Sequence, residues 1–422
     1  MIKDFKKILL AIFILNPLLA LCQWEKYFQE GSIRIDYNHS GRVGIEYYTI
    51  NRYQKLPFFA GSKTSLIDST NNGAYKIALF DNKEKKIIYS KGFSSLFNEW
   101  LSTKEATNTC GNFEEVLIIP YPKTDVDIVF YSRDSVNNWQ EITRTHFEEN
   151  QVEDLYDNIT RKIIPLNKVN KPLEKRLDVV ILPIGYTSKE EDKMNKDLKT
   201  FNDYLFSIAP YSEMKDKINV IGIEYFCEKS GIPGLKGREN DVNELGVHYN
   251  TFGSERYIMT EKLWDLNDVL NQTPYDAVIL MCNSDVYGGG GIYNYYATCY
   301  VGERSKEVLV HEFSHSFAGL GDEYSDNDSD AGLSSEKAEP YEKNITTLKN
   351  FNKKWKTMID NSTPIPTPST KEYDNKIGVF EGAAYKNKGF YRPYQHCMMR
   401  DLKPFCPICT KAIKDMLNIY CN

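Results

Sequence analysis

Glu307-Val-Leu-Val-His-Glu-Phe-Ser-His-Ser-Phe-Ala-Gly-Leu-Gly-Asp-Glu-Tyr324 is the stretch that decides how this chain is read. His311, Glu312 and His315 stand in it with H-E-x-x-H spacing. On a helix, residues four apart share one face about a turn apart, so both imidazoles can reach one Zn²⁺. Glu312 tilts to the open side of such an ion, where it can take a proton from water and pass it to a leaving amine. Val308, Leu309, Val310, Phe313 and Phe317 give the helix apolar flanks for burial. Gly319 and Gly321 can end it, letting the chain turn back toward the metal. A catalytic zinc takes three protein ligands and keeps an open position. The third ligand expected here is Asp322, eleven residues after His311. Glu323, or a distant Glu336 or Glu339, are the alternatives.

Downstream, Gly389-Phe-Tyr-Arg-Pro-Tyr-Gln-His-Cys-Met-Met-Arg400 offers Met398 or Met399 as an apolar floor beneath the ion. Tyr391 is the first candidate for an oxyanion donor, and His396 competes as a ligand. Upstream, Tyr287-Gly-Gly-Gly-Gly-Ile-Tyr-Asn-Tyr-Tyr-Ala297 begins as a glycine run and becomes strand-like. It lacks the Lys-Ser/Thr ending of a phosphate loop. It reads either as an edge strand that pairs with an extended peptide or as a loop feeding a structural strand. The acidic loop 326–330 is a Ca²⁺ candidate or simply a solvated turn.

The whole chain has 422 residues, enough for two or three domains. Hydrophobic residues make up 41% and charged residues 26%, which excludes wholesale disorder. A net charge of −6 gives no basic field for nucleic acid or anionic lipid. Mean hydropathy of −0.49 excludes a multispanning membrane protein. Residues 1–22 carry Lys3, Lys6 and Lys7 and then an apolar run broken by Asn16 and Pro17. That run is shorter than the ~20 residues a spanning helix needs, so it reads as a cleaved export signal. A lipoprotein box with Cys22 lipidated, or a retained anchor, are the alternatives. The expected location is outside the cytoplasm: periplasmic, cell-surface or secreted.

Short alternating runs separated by turn residues over 27–147 predict an antiparallel sandwich, with His39 and His146 as surface or packing residues. Residues 151–176 read as a linker. From 177 the style changes to α/β. Buried-strand runs are expected at 177–183, 218–226, 275–281 and 292–301, and helices at 189–208, 257–270 and 405–420. The division is therefore signal 1–22, sandwich 23–150, linker 151–176 and catalytic unit 177–422. Eight cysteines follow Cys22, and Cys406-Pro-Ile-Cys409 has no second C-x-x-C to make a four-thiolate zinc site. In an exported chain, disulfides within Cys397, Cys406, Cys409 and Cys421 are expected, against free thiols or a redox or zinc role.

The stretch from His311 to Tyr324, Gly378-Val-Phe-Glu-Gly-Ala383, Tyr391-Arg-Pro, Cys397-Met-Met-Arg400 and Phe405-Cys-Pro-Ile-Cys409 resemble the bacterial IgA-peptidase type of metallopeptidases. Lys91-Gly-Phe-Ser-Ser-Leu-Phe-Asn-Glu-Trp100 and Pro120-Tyr-Pro122 resemble that family's N-terminal sandwich domain. The resemblance covers nearly all of the mature chain. It implies an α+β multidomain protein, with an antiparallel β-sandwich followed by an α/β, metzincin-like zincin domain, acting as a zinc endopeptidase on protein or peptide. In the commoner metzincin signature the glycine and third ligand fall seven and ten residues after the first histidine. Here Gly319 and Asp322 fall eight and eleven after His311, as one inserted residue would produce. The rival readings are a zinc-containing, non-catalytic surface binding protein and a zinc amidase acting on a cell-wall amide. Glu312 speaks against the first, since structural zinc needs no general base.

Overall fold

The computed structural model describes residues 23–154, 160–326 and 338–421. The export segment with Cys22, Glu336 and loop positions 327–330 lie outside them. The alternating N-terminal region forms β1 (Phe28–Arg42), β2 (Ile45–Leu56), β3 (Tyr75–Asp81), β4 (Lys86–Phe93), β5 (Gly111–Pro122), β6 (Val126–Arg133), β7 (Trp139–Phe147) and β8 (Val152–Asp154). A short helix α1 (Leu96–Trp100) follows β4. The strands make two sheets, ordered β5-β1-β2-β8 and β4-β3-β6-β7. All pairings are antiparallel except β2 with β8. Tyr37 on β1 and Phe130 on β6 have ring centroids 5.2 Å apart, so the sheets face each other. Ile33, Ile35, Ile77, Leu79, Ile119 and Ile128 fill the space between. His39 is fully buried there, between Glu46 Oε1 (2.8 Å) and Glu115 Oε1 (3.0 Å). His146 is exposed and pairs with Asp127 (2.9 Å).

The second half is a mixed α/β unit. Its sheet runs β13-β14-β12-β10-β11-β9. The strands are β9 (Ile163–Asn167), β10 (Leu177–Ile184), β11 (Ile218–Ile223), β12 (Ala277–Cys282), β13 (Gly289–Ile292) and β14 (Tyr296–Tyr300). The inner pairings are parallel, and β9 and β13 join the edges antiparallel. β10 shows why 177–183 is apolar without alternation. Leu177, Val179 and Ile181 pack with Leu198, Phe201 and Phe313 on one face. Val180, Leu182 and Ile184 join the same core as the N-terminal sheets on the other. The helices are α2 (Glu191–Leu205), α3 (Leu263–Leu270), α4 (Ser305–Ala318), α5 (Met398–Asp401) and α6 (Pro407–Cys421). A hairpin of β15 (Phe380–Ala383) and β16 (Lys386–Arg392) precedes α5.

Three elements differ from the sequence reading. The stretch 151–176 is not only a connector: it supplies β8 to the first sheet and β9 to the edge of the large one. The helix expected over 257–270 starts at Leu263, because Tyr257 and Met259 make bridges to Gly289 and His248. The strand expected at 292–301 is two strands, turned at Asn294 with φ +51°. The halves are bonded together: buried Arg34 of β1 reaches Asp268 of α3 (2.5 Å) as well as Asp36 (2.6 Å). No helix among the described residues is long and apolar enough to cross a membrane.

Candidate metal centre

Helix α4 is buried along most of its length, including Val308, Leu309, Val310, His311, Phe313 and Phe317. Gly319 ends it in the left-handed region (φ +60°), donating its N–H to the carbonyl of His315 (3.0 Å). His311 Nδ1 lies 2.9 Å from the carbonyl of Met398, and His315 Nδ1 lies 2.6 Å from that of Leu320. A carbonyl only accepts, so both Nδ1 atoms carry the proton and donate. Each ring thus turns its Nε2 inward, and these two atoms stand 3.0 Å apart. Asp322 Oδ1 lies 3.2 Å from one and 3.3 Å from the other.

Three potential ligand atoms thus converge on one point. Asp322 Oδ1 is buried and has no hydrogen-bond partner. A divalent cation satisfies this arrangement, and two imidazoles with a carboxylate are a donor set that Zn²⁺ accepts. Asp322 Oδ2 accepts from the Tyr385 hydroxyl, which in turn lies 3.3 Å from that of Tyr324. Burial disfavours an imidazolium here, yet Asp322 overrides it and raises His315 to about 9. His311 is raised for the same reasons. Asp322 is driven far below the carboxylate range against its burial by the two histidines.

Glu312 offers a carboxylate oxygen within 4.8 Å of the His311 and His315 ligand atoms. Burial raises its pKa. The glycine run explains how β13 comes so close to α4. A Cβ on Gly291 would stand 2.1 Å from the Glu312 carbonyl oxygen, and one on Gly289 would stand 3.1 Å from Glu312 Cγ. Only glycine allows the edge strand to lie on this helix.

The other candidates separate. Met398 and Met399 lie under the centre, and what they are seen to give it are carbonyls, to His311 Nδ1 and to the Glu323 N–H (2.7 Å). Glu323 turns away from the histidines into a fully buried site, where Asn344 donates to it (2.9 Å). Asn344 also clasps both backbone groups of Gly321 (2.9 and 2.8 Å). Glu339 accepts from the backbone of Thr347, Lys349 and Asn350 instead. His396 is exposed and pairs with Asp401. Tyr391 sits in β16 with its backbone bonded to Thr346, and Tyr385 in the preceding turn donates its hydroxyl to Asp322. Glu99, from α1, feels the charges of His315 and Asp322, and burial raises it to about 7. The expected disulfides are not formed. Cys397, Cys406 and Cys409 are free thiols that gather around Glu323, and Cys421 lies apart beside the carbonyl of Lys217.

No curated protein matches the chain. The family model described as IgA Peptidase M64 matches residues 164–373 and 369–417, and that described as Peptidase M64 N-terminus matches 23–144. Together they span both halves of the fold, and the chain belongs to the IgA peptidase M64 family of metallopeptidases.

Proposed function

We propose that the chain is an exported, zinc-dependent endopeptidase of metzincin-like build. In this reading 23–150 is a supporting sandwich, 151–176 the connector and 177–422 the peptidase unit. His311, His315 and Asp322 hold the ion, and Glu312 is the general base. The observation that carries the reading is the buried, unpartnered Asp322 Oδ1 facing the Nε2 atoms of His311 and His315. Zn²⁺ bound there supplies Lewis acidity to the scissile carbonyl. The chain's own residues do the rest. Met398 and Leu320 fix the imidazole tautomers through Nδ1. Tyr385 orients Asp322. Glu312 accepts a proton from the attacking water at its carboxylate and returns it to the leaving amine nitrogen. Past Gly289, which is already bridged to Tyr257, the Gly291 end of β13 gives an extended peptide backbone a strand edge to pair with. The apolar, lysine-led segment 1–22 supports export. Digestion of a denatured protein such as casein, abolished by a chelator and restored by stoichiometric Zn²⁺, tests the assignment. Digestion that survives complete metal removal would contradict it.

A further inference from the structure

Behind the floor of the metal centre lies a second cluster of ligand atoms. Glu323, Cys397, Cys406 and Cys409 are all buried, with one ligand atom of each within 4.8 Å of the others. They come from three places: the turn after α4, the residue before α5, and the approach to and first turn of α6. The Cys409 thiol donates to Glu323 Oε1 (3.0 Å). The Cys406 N–H donates to Cys397 Sγ (3.3 Å), and the Cys409 N–H donates to Cys406 Sγ (3.4 Å). Such amide-to-sulfur bonds favour thiolates. Glu323 has no solvent exposure, and its Oε2 has no partner at all.

An orphaned oxygen on a fully buried carboxylate is expensive unless something cationic meets it. A disulfide would use two of the sulfurs and leave both the third and Glu323 as they are. Neutral packing of three thiols would likewise leave Oε2 without a partner. A divalent ion takes all four groups, displacing the thiol protons as it binds. We propose that Glu323, Cys397, Cys406 and Cys409 form a second, structural metal site for a thiolate-preferring, tetrahedral cation of the Zn²⁺ class. Four protein ligands and no open position make it closed to substrate. Soft sulfur donors select against Mg²⁺ and Ca²⁺.

Its position gives it a task. Glu323 follows Asp322 in the chain, and Cys397 precedes Met398, whose carbonyl orients His311. The Glu323 N–H already donates to Met399 (2.7 Å). An ion holding Glu323 and Cys397 together therefore fixes, from behind, both the carboxylate and the floor that the first centre depends on. The inference rests on this cluster alone and stands or falls separately from the peptidase assignment.

Cobalt exchange of the full chain tests it without any substitution. The first centre contains no sulfur, so thiolate-to-cobalt charge-transfer absorption in the near ultraviolet comes only from the second. The expected result is two ions per chain with that absorption present, retained in His311→Ala with one ion, and lost in Cys406→Ser. Should Cys406→Ser not fold, the unsubstituted protein and His311→Ala still decide the matter. Absence of the band in both, or non-reducing peptide mapping that finds a disulfide between any two of Cys397, Cys406 and Cys409, would overturn the proposal.

Discussion

Asn72, in the loop before β3, donates its side-chain amide to the carbonyl of Ala318, the last residue of α4 (3.3 Å). The N-terminal sheets thereby satisfy a carbonyl that helix geometry leaves without a partner, on the helix bearing His311 and His315. The Ser94 N–H donating to Tyr293 (2.9 Å) and Asn294 donating to Gly92 (2.7 Å) tie the same surfaces together. The N-terminal half thus helps hold α4 and, with it, the proposed metal centre. Asn72→Ala is expected to lower stability by about 1 kcal/mol and to reduce peptide turnover several-fold. Denaturant melts and a fluorogenic peptide assay read the two effects. A variant with lowered stability and fully unchanged turnover would break the link.

Tyr385 holds Asp322 through its hydroxyl. Tyr385→Phe removes one hydroxyl and leaves the ligands in place. Orienting partners of this kind are worth roughly 10–100-fold in metal affinity, so competition with a chromophoric chelator should show a loss of that order. Unchanged affinity would remove Tyr385 from the account.

Gly291 is predicted to be intolerant of a side chain. Its Cβ would fall 2.1 Å from a backbone oxygen of α4, where no flexible group can yield. Gly291→Ala should lose about 1–3 kcal/mol and most of the activity, because β13 must lift away from Glu312. Gly44, whose Cβ would meet nothing within 4 Å, is the control site for alanine substitution. Its positive φ of +79° limits the effect there to backbone strain of about 1 kcal/mol.

How much of this was legible follows from sequence distance. His311, Glu312, His315, Gly319 and Asp322 lie within twelve residues, and helical spacing plus one left-handed glycine brings them together. Local pattern sufficed for that. Tyr385 was not singled out because it lies more than sixty residues from Asp322, and only the fold of the hairpin brings its hydroxyl to that carboxylate. The Cys397, Cys406 and Cys409 group was read as disulfide material because its fourth member, Glu323, is far away in sequence and adjacent to a residue already assigned elsewhere. The glycine run from 288 to 291 announced a close approach, but not that its neighbour would be α4 itself. Helix 257–270 was overextended because apolar spacing does not reveal that the Met259 backbone is already engaged by His248.

His39 supplies a pH test of the N-terminal core. Burial opposes its protonation, but Glu115 and Glu46 outweigh burial and raise its pKa above 6.5. The folded value exceeds the unfolded one, so the contribution is fully present below about 6.5 and lost as pH rises through the folded value. Wild-type melting temperature should therefore fall more between about pH 6 and about pH 9 than that of His39→Gln. Parallel slopes would mean that the imidazole is neutral in the folded state.

The most direct test of the central claim is Glu312→Gln in the full chain, assayed for metal content and peptide hydrolysis together. The account predicts unchanged metal content, an unchanged fold by circular dichroism, and hydrolysis reduced by at least about 100-fold. A folded, fully metal-loaded Glu312→Gln protein that hydrolyses peptide at the wild-type rate would contradict it.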